Sequence, residues 1–189
     1  MDVIEAIKTR RSVNKVRDER PPKDVVREIV EAALWAPNHH FTQPWRFHVL
    51  AGEERRRMGE RVAADMERHM GVEPGIDAAT VEKARGALLR APVVVAVTVG
   101  RSDDPEQDLE DYAAACCATQ NLLLAAHAKG FAAKWRTGAM AREAAAKKHL
   151  GIGPDDRIVA YVYLGYPAGA PPVPRPRSAD KIAWLGWES

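Results

Sequence analysis

Two uninterrupted apolar segments restrict the possible folds of this chain most strongly. Residues 91–100 read APVVVAVTVG, and residues 156–167 read DRIVAYVYLGYP. β-Branched and aromatic residues favour strands, and a strand without polar alternation is typical of one that is buried on both faces. Together with the helical segments around them, these strands predict an α/β or α+β architecture built on one sheet.

Helical and extended periodicities account for most of the remaining sequence. The segment 108–130, DLEDYAAACCATQNLLLAAHAKG, is apolar nearly all round, which is typical of a helix at the centre of a fold or in a subunit interface. Shorter helices are predicted at 2–8, 21–37, 53–69, about 78–89 and 141–151, and further strands at 45–51 and 131–138.

Composition and charge are those of an ordinary globular chain. The 189 residues suggest one domain, and a net charge of +2 gives no reason to expect a nucleic-acid partner. The charged N-terminus resembles no signal peptide, and no apolar run is long enough to span a membrane, so we expect a cytoplasmic protein. The adjacent Cys116 and Cys117 match no metal or disulfide spacing and are interpreted as small buried side chains in a reduced compartment.

The histidines and glycines match none of the common catalytic motifs. His39 and His40 are neighbours, so their side chains are expected to point in different directions. No two histidines are spaced i, i+4, and the sequence contains no HExxH, GxSxG, GxGxxG or GxxxxGK[ST] segment. No metal site, serine triad, Rossmann fingerprint or P-loop is therefore predicted.

Three short clusters have chemistry that suits an anionic ligand. Arg10, Arg11 and Ser12 follow the first helix and could hold a phosphate, although the residues alone favour a solvated helix end. The segment KWRTG (134–138) ends a strand, where ligand-binding loops often lie, but it could also be a surface turn. The proline-rich segment from residue 167 onward adds Arg175 and Arg177, and ordering such an arm has an entropic cost that a clamped ligand would offset.

The order of these clusters resembles the nitroreductase family of flavin enzymes, in its short single-domain branch. The resemblance covers nearly the whole chain through RRSV, APNHHFTQPWRFHVL, RAPVVVAV, ATQNLLLAAHAKGFAAKWRTG and RIVAYVYLGYP. It implies an α+β fold with a central, mostly antiparallel sheet flanked by helices. It also implies an intertwined homodimer with FMN at the subunit interface, and one domain over 1–189 whose residues 167–189 form an extended C-terminal arm.

The same resemblance implies a role for each cluster. The FMN phosphate and ribityl chain would be held by Arg10, Arg11 and Ser12, with Arg175 and Arg177 reaching the phosphate from the arm. The ring would lie against Trp135, Arg136 and Thr137, with a backbone N–H near Thr137 and Gly138 facing N5, while Trp35, His39 and Gln43 would come from the partner subunit. Many relatives carry Lys at the position of Asn14, so the cation near the pyrimidine end is expected to be Arg10 or Lys15.

The implied activity is hydride transfer from NADH or NADPH, through the flavin, to a nitroaromatic, quinone or similar acceptor in a ping-pong cycle. No catalytic side chain is required, because the flavin supplies the chemistry. Two alternatives remain open: a dehalogenating or flavin-degrading enzyme on the same scaffold, and a flavin- or anion-binding protein without turnover.

Overall fold

The computed structural model describes residues 1–141, 143–173 and 176–187. The helices are α1 (Val3–Thr9), α2 (Lys23–Ala33), α3 (Glu53–His69), α4 (Ala78–Arg85), α5 (Pro105–Ala128) and α6 (Ala144–Leu150). The strands are β1 (Trp45–Ala51), β2 (Val93–Val99), β3 (Ala132–Arg136) and β4 (Arg157–Gly165). In the described part of the chain the strands form one antiparallel sheet in the order β1-β2-β4-β3, which confirms the α+β prediction.

The two apolar segments are the central strands, as their composition predicts. Every residue of β2 is buried, and every residue of β4 except Arg157 is buried. In their register, Val95 lies between Val49 of β1 and Val162 of β4. The two edges of the sheet are therefore β1 and β3, whose side chains are only partly covered.

Helices cover both faces of the sheet. On one face α2 and α5 pack over the odd-numbered valines of β2, for example Val95, while Leu122 and Ile29 are completely buried there. On the other face α3, α4 and α6 pack over Val94 and Ala96. This arrangement explains why β2 and β4 lack polar alternation: neither of their faces meets water.

Two expectations are corrected at the level of the helices. The predicted helix at 78–89 breaks at Gly86, and a separate 3₁₀ turn, Ala87–Arg90, leads into β2. Cys117 is exposed and Cys116 is half-buried, so the cysteine pair is not a buried one. Cys117 lies instead in an exposed, largely apolar stripe of α5, which we call the α5 stripe and which consists of Leu109, Ala113 and Cys117.

The described part of the C-terminal segment is exposed from residue 168 onward. Val16 forms a bridge with Pro167, and the amide of Ala168 donates to the carbonyl oxygen of Lys15 at 3.1 Å. The described residues beyond this point are exposed, and Trp184 and Trp187 contact only each other among aromatic rings, at 5.7 Å between centroids. Within the described residues no helix is long and apolar enough to cross a membrane.

Candidate functional site

The open edge of β3 is the centre of the candidate site. Ser12 forms a parallel bridge with Ala133, and the amide of Val13 donates to the carbonyl oxygen of Ala133 at 3.4 Å. Ala133 therefore directs its backbone groups outward, and alternation along the ladder directs those of Trp135 to the same edge. Thr137 and Gly138 follow the end of the strand, and Gly138 has a φ of 114°, which favours glycine. Within KWRTG the edge thus offers an outward backbone donor at Trp135.

Positive charges gather where α1 meets this edge. Burial lowers the pKa of the Arg10 guanidinium, and the nearby charges of Arg11 and Arg177 lower it further. His127, bonded to the hydroxyl of Thr9 at 2.8 Å, also has a lowered pKa because it is partly buried and close to Arg10 and Arg11. Like charges held this close are destabilising without an anion, and a phosphate would relieve the repulsion.

Arg11 differs from Arg10 in how its side chain is used. Its Nη1 donates to the carbonyl oxygens of Lys8 and Arg10, both at 2.7 Å. Arg11 therefore satisfies the last carbonyls of α1, as expected for a cation at a helix C-terminus. Of the two interpretations of the TRRS cluster, helix capping therefore describes Arg11, while Arg10 stays a candidate for the anion site.

Next to this cluster lies a cavity of about 240 Å³, lined in part by Asn14, Lys134 and Tyr163. The Lys134 ammonium donates to the side-chain oxygen of Asn14. Arg10 and Lys15 are the cations that the sequence suggests for the pyrimidine end of the ring, and the structure adds Lys134, which lines this cavity. Lys134 and Arg136 alternate with Trp135 and therefore share a face of β3.

A second cavity of about 330 Å³, which we call the cationic cleft, continues from the first toward Thr137 and Gly138. It is bounded by α3, α4, the turn 87–90 and β4, and it is lined by Met66, Thr80, Lys83, Ala84, Ala87, Arg90, Arg136, Thr137, Gly138, Met140, Tyr161 and Tyr163. Burial raises the pKa of both tyrosines, and the Tyr163 hydroxyl donates to the carbonyl oxygen of Ala87 at 2.9 Å. These hydroxyls are therefore poor proton donors near neutral pH.

The loop that contains His39 and Gln43 is strained and is tied to α5. Three residues without glycine's freedom have positive φ: His40 (51°), Phe41 (56°) and Gln43 (45°). Strain of this kind persists only where the surroundings enforce it. Here His39 Nδ1 lies 2.7 Å from Glu110 Oε2, and the Thr42 hydroxyl donates to Asp111 at 2.8 Å.

The left-handed backbone at His40 also corrects an expectation about the histidine pair. The two rings do not diverge but stack, with centroids 3.9 Å apart and planes 23° apart. The prediction assumed ordinary backbone angles, and a positive φ at the second residue turns its side chain back over the first. Among the described residues, no three His, Cys, Asp or Glu side chains converge as metal ligands would.

Within one chain the predicted site residues form two groups that do not meet. Arg10, Arg11, Ser12, Asn14, Arg136, Thr137, Gly138 and Arg177 lie along or near the β3 edge, and Trp135 packs partly against the α5 side of the core. Trp35, His39 and Gln43 are exposed and adjoin β1, at the opposite edge, three strand spacings or about 14 Å away. Arg175 lies outside the described residues.

Comparisons with known proteins point to one family. A profile described as the Nitroreductase family matches residues 7–166. The chain is 33% identical over 168 residues to a protein of Escherichia coli strain K12 called putative NAD(P)H nitroreductase YdjA, covering 88% of this chain and 89% of that protein. It is 28% identical over 167 residues to the putative NAD(P)H nitroreductase YfhC of Bacillus subtilis, covering 88% and 85%.

Solved structures that are similar to this chain also carry nitroreductase names. A nitroreductase-like family protein from Bacillus cereus superposes with a TM-score of 0.82 at 25% identity, over 98% of this chain and 97% of the other. A putative nitroreductase from Desulfovibrio desulfuricans, solved in complex with FMN, superposes with a TM-score of 0.74 at 26% identity, over 100% and 99%.

Proposed function

The chain belongs to the nitroreductase family, and from that premise we propose that it is an FMN-dependent oxidoreductase that uses NADH or NADPH to reduce small-molecule acceptors such as nitroaromatics and quinones. A relative solved with FMN and relatives named as NAD(P)H nitroreductases support the cofactor and the hydride donor. Bound FMN would supply the hydride-transfer chemistry, while the protein supplies binding, orientation and electrostatics.

The observation that carries this proposal is an open strand edge beside an arginine cluster that has no ion-pair partner among the described residues. Arg10 and Arg177, with Ser12 beside them, suit a phosphate. From there the edge runs past Lys134 to Gly138, a span of about 13 Å at 3.3 Å per residue, which is long enough for a tricyclic ring. The outward backbone groups of Trp135, and a backbone N–H at Thr137 or Gly138 just beyond the strand, can bond the ring without a titratable side chain.

Lys134 is the residue we assign to the pyrimidine end of the ring. Its ammonium is held by Asn14 on the wall of the cavity next to the arginine cluster, whereas Lys15 does not line that cavity. A fixed cation there would stabilise the negative charge that reduced flavin gathers near N1 and O2. Because the Asn14 side chain orients the Lys134 ammonium, both residues contribute to this interaction with the ring.

A homodimer completes the proposed site. A compact monomer of 20.8 kDa is expected to expose roughly 9,000 Å², but this chain exposes 11809 Å². The exposed area includes large apolar side chains on the α5 stripe, on the loop at Trp35 and Phe41, and on the C-terminal arm. A second copy that covers these surfaces could bring Trp35, His39 and Gln43 to the β3 edge, and free cysteines fit a reducing, cytoplasmic location.

The proposal is tested first by the visible spectrum of the purified protein. We expect flavin absorbance, or its appearance after incubation with FMN, and NAD(P)H oxidation that depends on an acceptor. Initial-rate plots should give parallel lines, as a ping-pong cycle requires. A protein that cannot bind FMN would refute the function, and one that binds FMN but never oxidises NAD(P)H would instead be a flavin-binding protein without turnover.

A further inference from the structure

The charged side chains of the cationic cleft have no ion-pair partner in the part of the chain that the structure describes. Its charged lining residues are Lys83, Arg90 and Arg136, and no carboxylate lines it. Arg136 lies over the ring of Tyr163 at 5.5 Å. Among the described residues none of the three has an ion-pair partner, although Arg85, only two positions from Lys83 along α4, pairs with Glu67 and Glu82. On α4, therefore, the cation that lines the cleft lacks an ion-pair partner, while a neighbouring cation outside the cleft has two.

A neighbouring groove shows the opposite arrangement. Thr137 and Gly138 also line an open cavity of about 460 Å³ that contains Lys147, Asp156 and Arg157. In that groove Arg157 pairs with the buried Asp108 at 2.7 Å, Lys147 donates to the carbonyl oxygen of Pro154, and Asp156 accepts from Gly153. Each of these charged side chains already has a hydrogen-bond or ion-pair partner, whereas among the described residues Lys83, Arg90 and Arg136 of the cationic cleft have no ion-pair partner.

The remainder of the cationic cleft suits a flat apolar body. Met66, Ala84 and Met140 are buried beneath it, and a cavity of about 330 Å³ is at the small end of the range for ligand sites. The hydroxyls of Tyr163 and Tyr161 point to backbone carbonyls, at 2.9 and 3.5 Å. Apart from the hydroxyls of Thr80 and Thr137, the polar side-chain groups of the described lining that are left to meet a ligand are the cations.

We propose that the cationic cleft binds an aromatic electron acceptor that carries a carboxylate, and that Lys83 is a specificity-determining residue for its negative charge. This inference rests on the proposed function, which brings acceptors to the turn at Thr137 and Gly138. The apolar floor holds the ring and the cationic rim holds the carboxylate. Lys83 lines only this cleft, whereas Arg90 and Arg136 also line the cavity beside Lys134, so Lys83 is the residue that isolates the effect.

The test is a calorimetric titration of the purified protein with a matched pair of probes, 4-nitrobenzoate and the neutral 4-nitrobenzyl alcohol. We expect the carboxylate to bind more tightly, with the preference falling as salt screens the charges. Lys83→Met keeps the length and helix propensity of the side chain and should lower the preference by roughly fivefold, the upper range for an exposed ion pair. Lys148→Met, at an exposed position of α6, is the control and should retain it.

Two outcomes overturn the inference. Equal affinity for the two probes in the wild type would show that the cleft does not select an anion. Alternatively, Lys83→Met could leave the 4-nitrobenzoate preference intact and weaken NADPH relative to NADH in flavin reduction by stopped flow, which would assign Lys83 to the 2′-phosphate of the donor. Because the titration needs no turnover, a protein that binds 4-nitrobenzoate through Lys83 but reduces no acceptor would refute the proposed function alone.

Discussion

Arg10 and Arg11 are adjacent, but their surroundings predict different contributions to cofactor binding. The Arg10 guanidinium is partly buried among like charges, whereas that of Arg11 already bonds two carbonyl oxygens of α1. Arg10→Ala should weaken FMN binding by about 1.5–3 kcal/mol, the range for hydrogen bonds to charged groups, and Arg11→Ala by less. Quenching of flavin fluorescence in a titration measures both, with Arg61→Ala on α3 as the control, and equal losses for the two variants would contradict the distinction.

The surroundings of His48 predict how the stability of the folded protein depends on pH. Burial lowers the pKa of its imidazole, with Arg46 as the second cause, and its Nε2 lies 3.1 Å from the hydroxyl of Thr98. Below the unfolded value of about 6.5 the unfolded chain binds more protons than the native one, so stability falls as pH decreases. His48→Gln should reduce the loss in urea midpoint between neutral and mildly acidic pH. His69→Gln, at an exposed position, should retain the wild-type dependence, and identical profiles for all three proteins would contradict the prediction.

Local sequence patterns predicted the individual helices and strands better than they predicted how distant strands pair. The bounds of α3 and β1 follow from the sequence because Gly52 separates them with a positive φ and their apolar periodicities differ. Composition likewise identified β2 and β4 as buried strands. The order β1-β2-β4-β3 could not be read from any single segment, because it depends on pairing between distant strands. For the same reason the sequence did not predict the cationic cleft, whose lining residues come from distant segments. The left-handed residues of the 38–43 loop were also missed, since none of them is glycine.

The packing of α3 on α4 depends on Gly59. A Cβ at this position would lie 2.3 Å from the carbonyl oxygen of Arg85, closer than atoms can approach. Gly59→Ala should force the helices apart and lower the free energy of unfolding by about 1–3 kcal/mol, despite the better helix propensity of alanine. Gly86→Ala is the control, because its nearest neighbour is 3.7 Å away and its φ is negative. Equal urea midpoints for the two variants would show that the contact does not limit packing.

In the proposed homodimer, the two groups of site residues that one chain keeps at opposite edges of its sheet come together at the subunit interface. If a second copy covers the α5 stripe, then a charge placed there should separate the subunits and remove the loop of Trp35, His39 and Gln43 from the partner's β3 edge. Ala113→Arg should therefore shift the protein from dimer to monomer in sedimentation velocity and lower the bound FMN per chain together with it. In the proposed dimer both effects have one cause, because the same interface covers the exposed apolar surface and brings the loop to the partner's site.

The matched control is Ala64→Arg, which places the same charge at an exposed alanine of α3, away from the α5 stripe. This variant should remain dimeric and keep its flavin. If the Ala113→Arg protein is dimeric and has its full FMN content, the subunit interface lies on a surface other than the α5 stripe. A monomeric Ala113→Arg protein that binds FMN as tightly as the wild type would instead show that the arginine cluster and the β3 edge hold the cofactor without help from the partner.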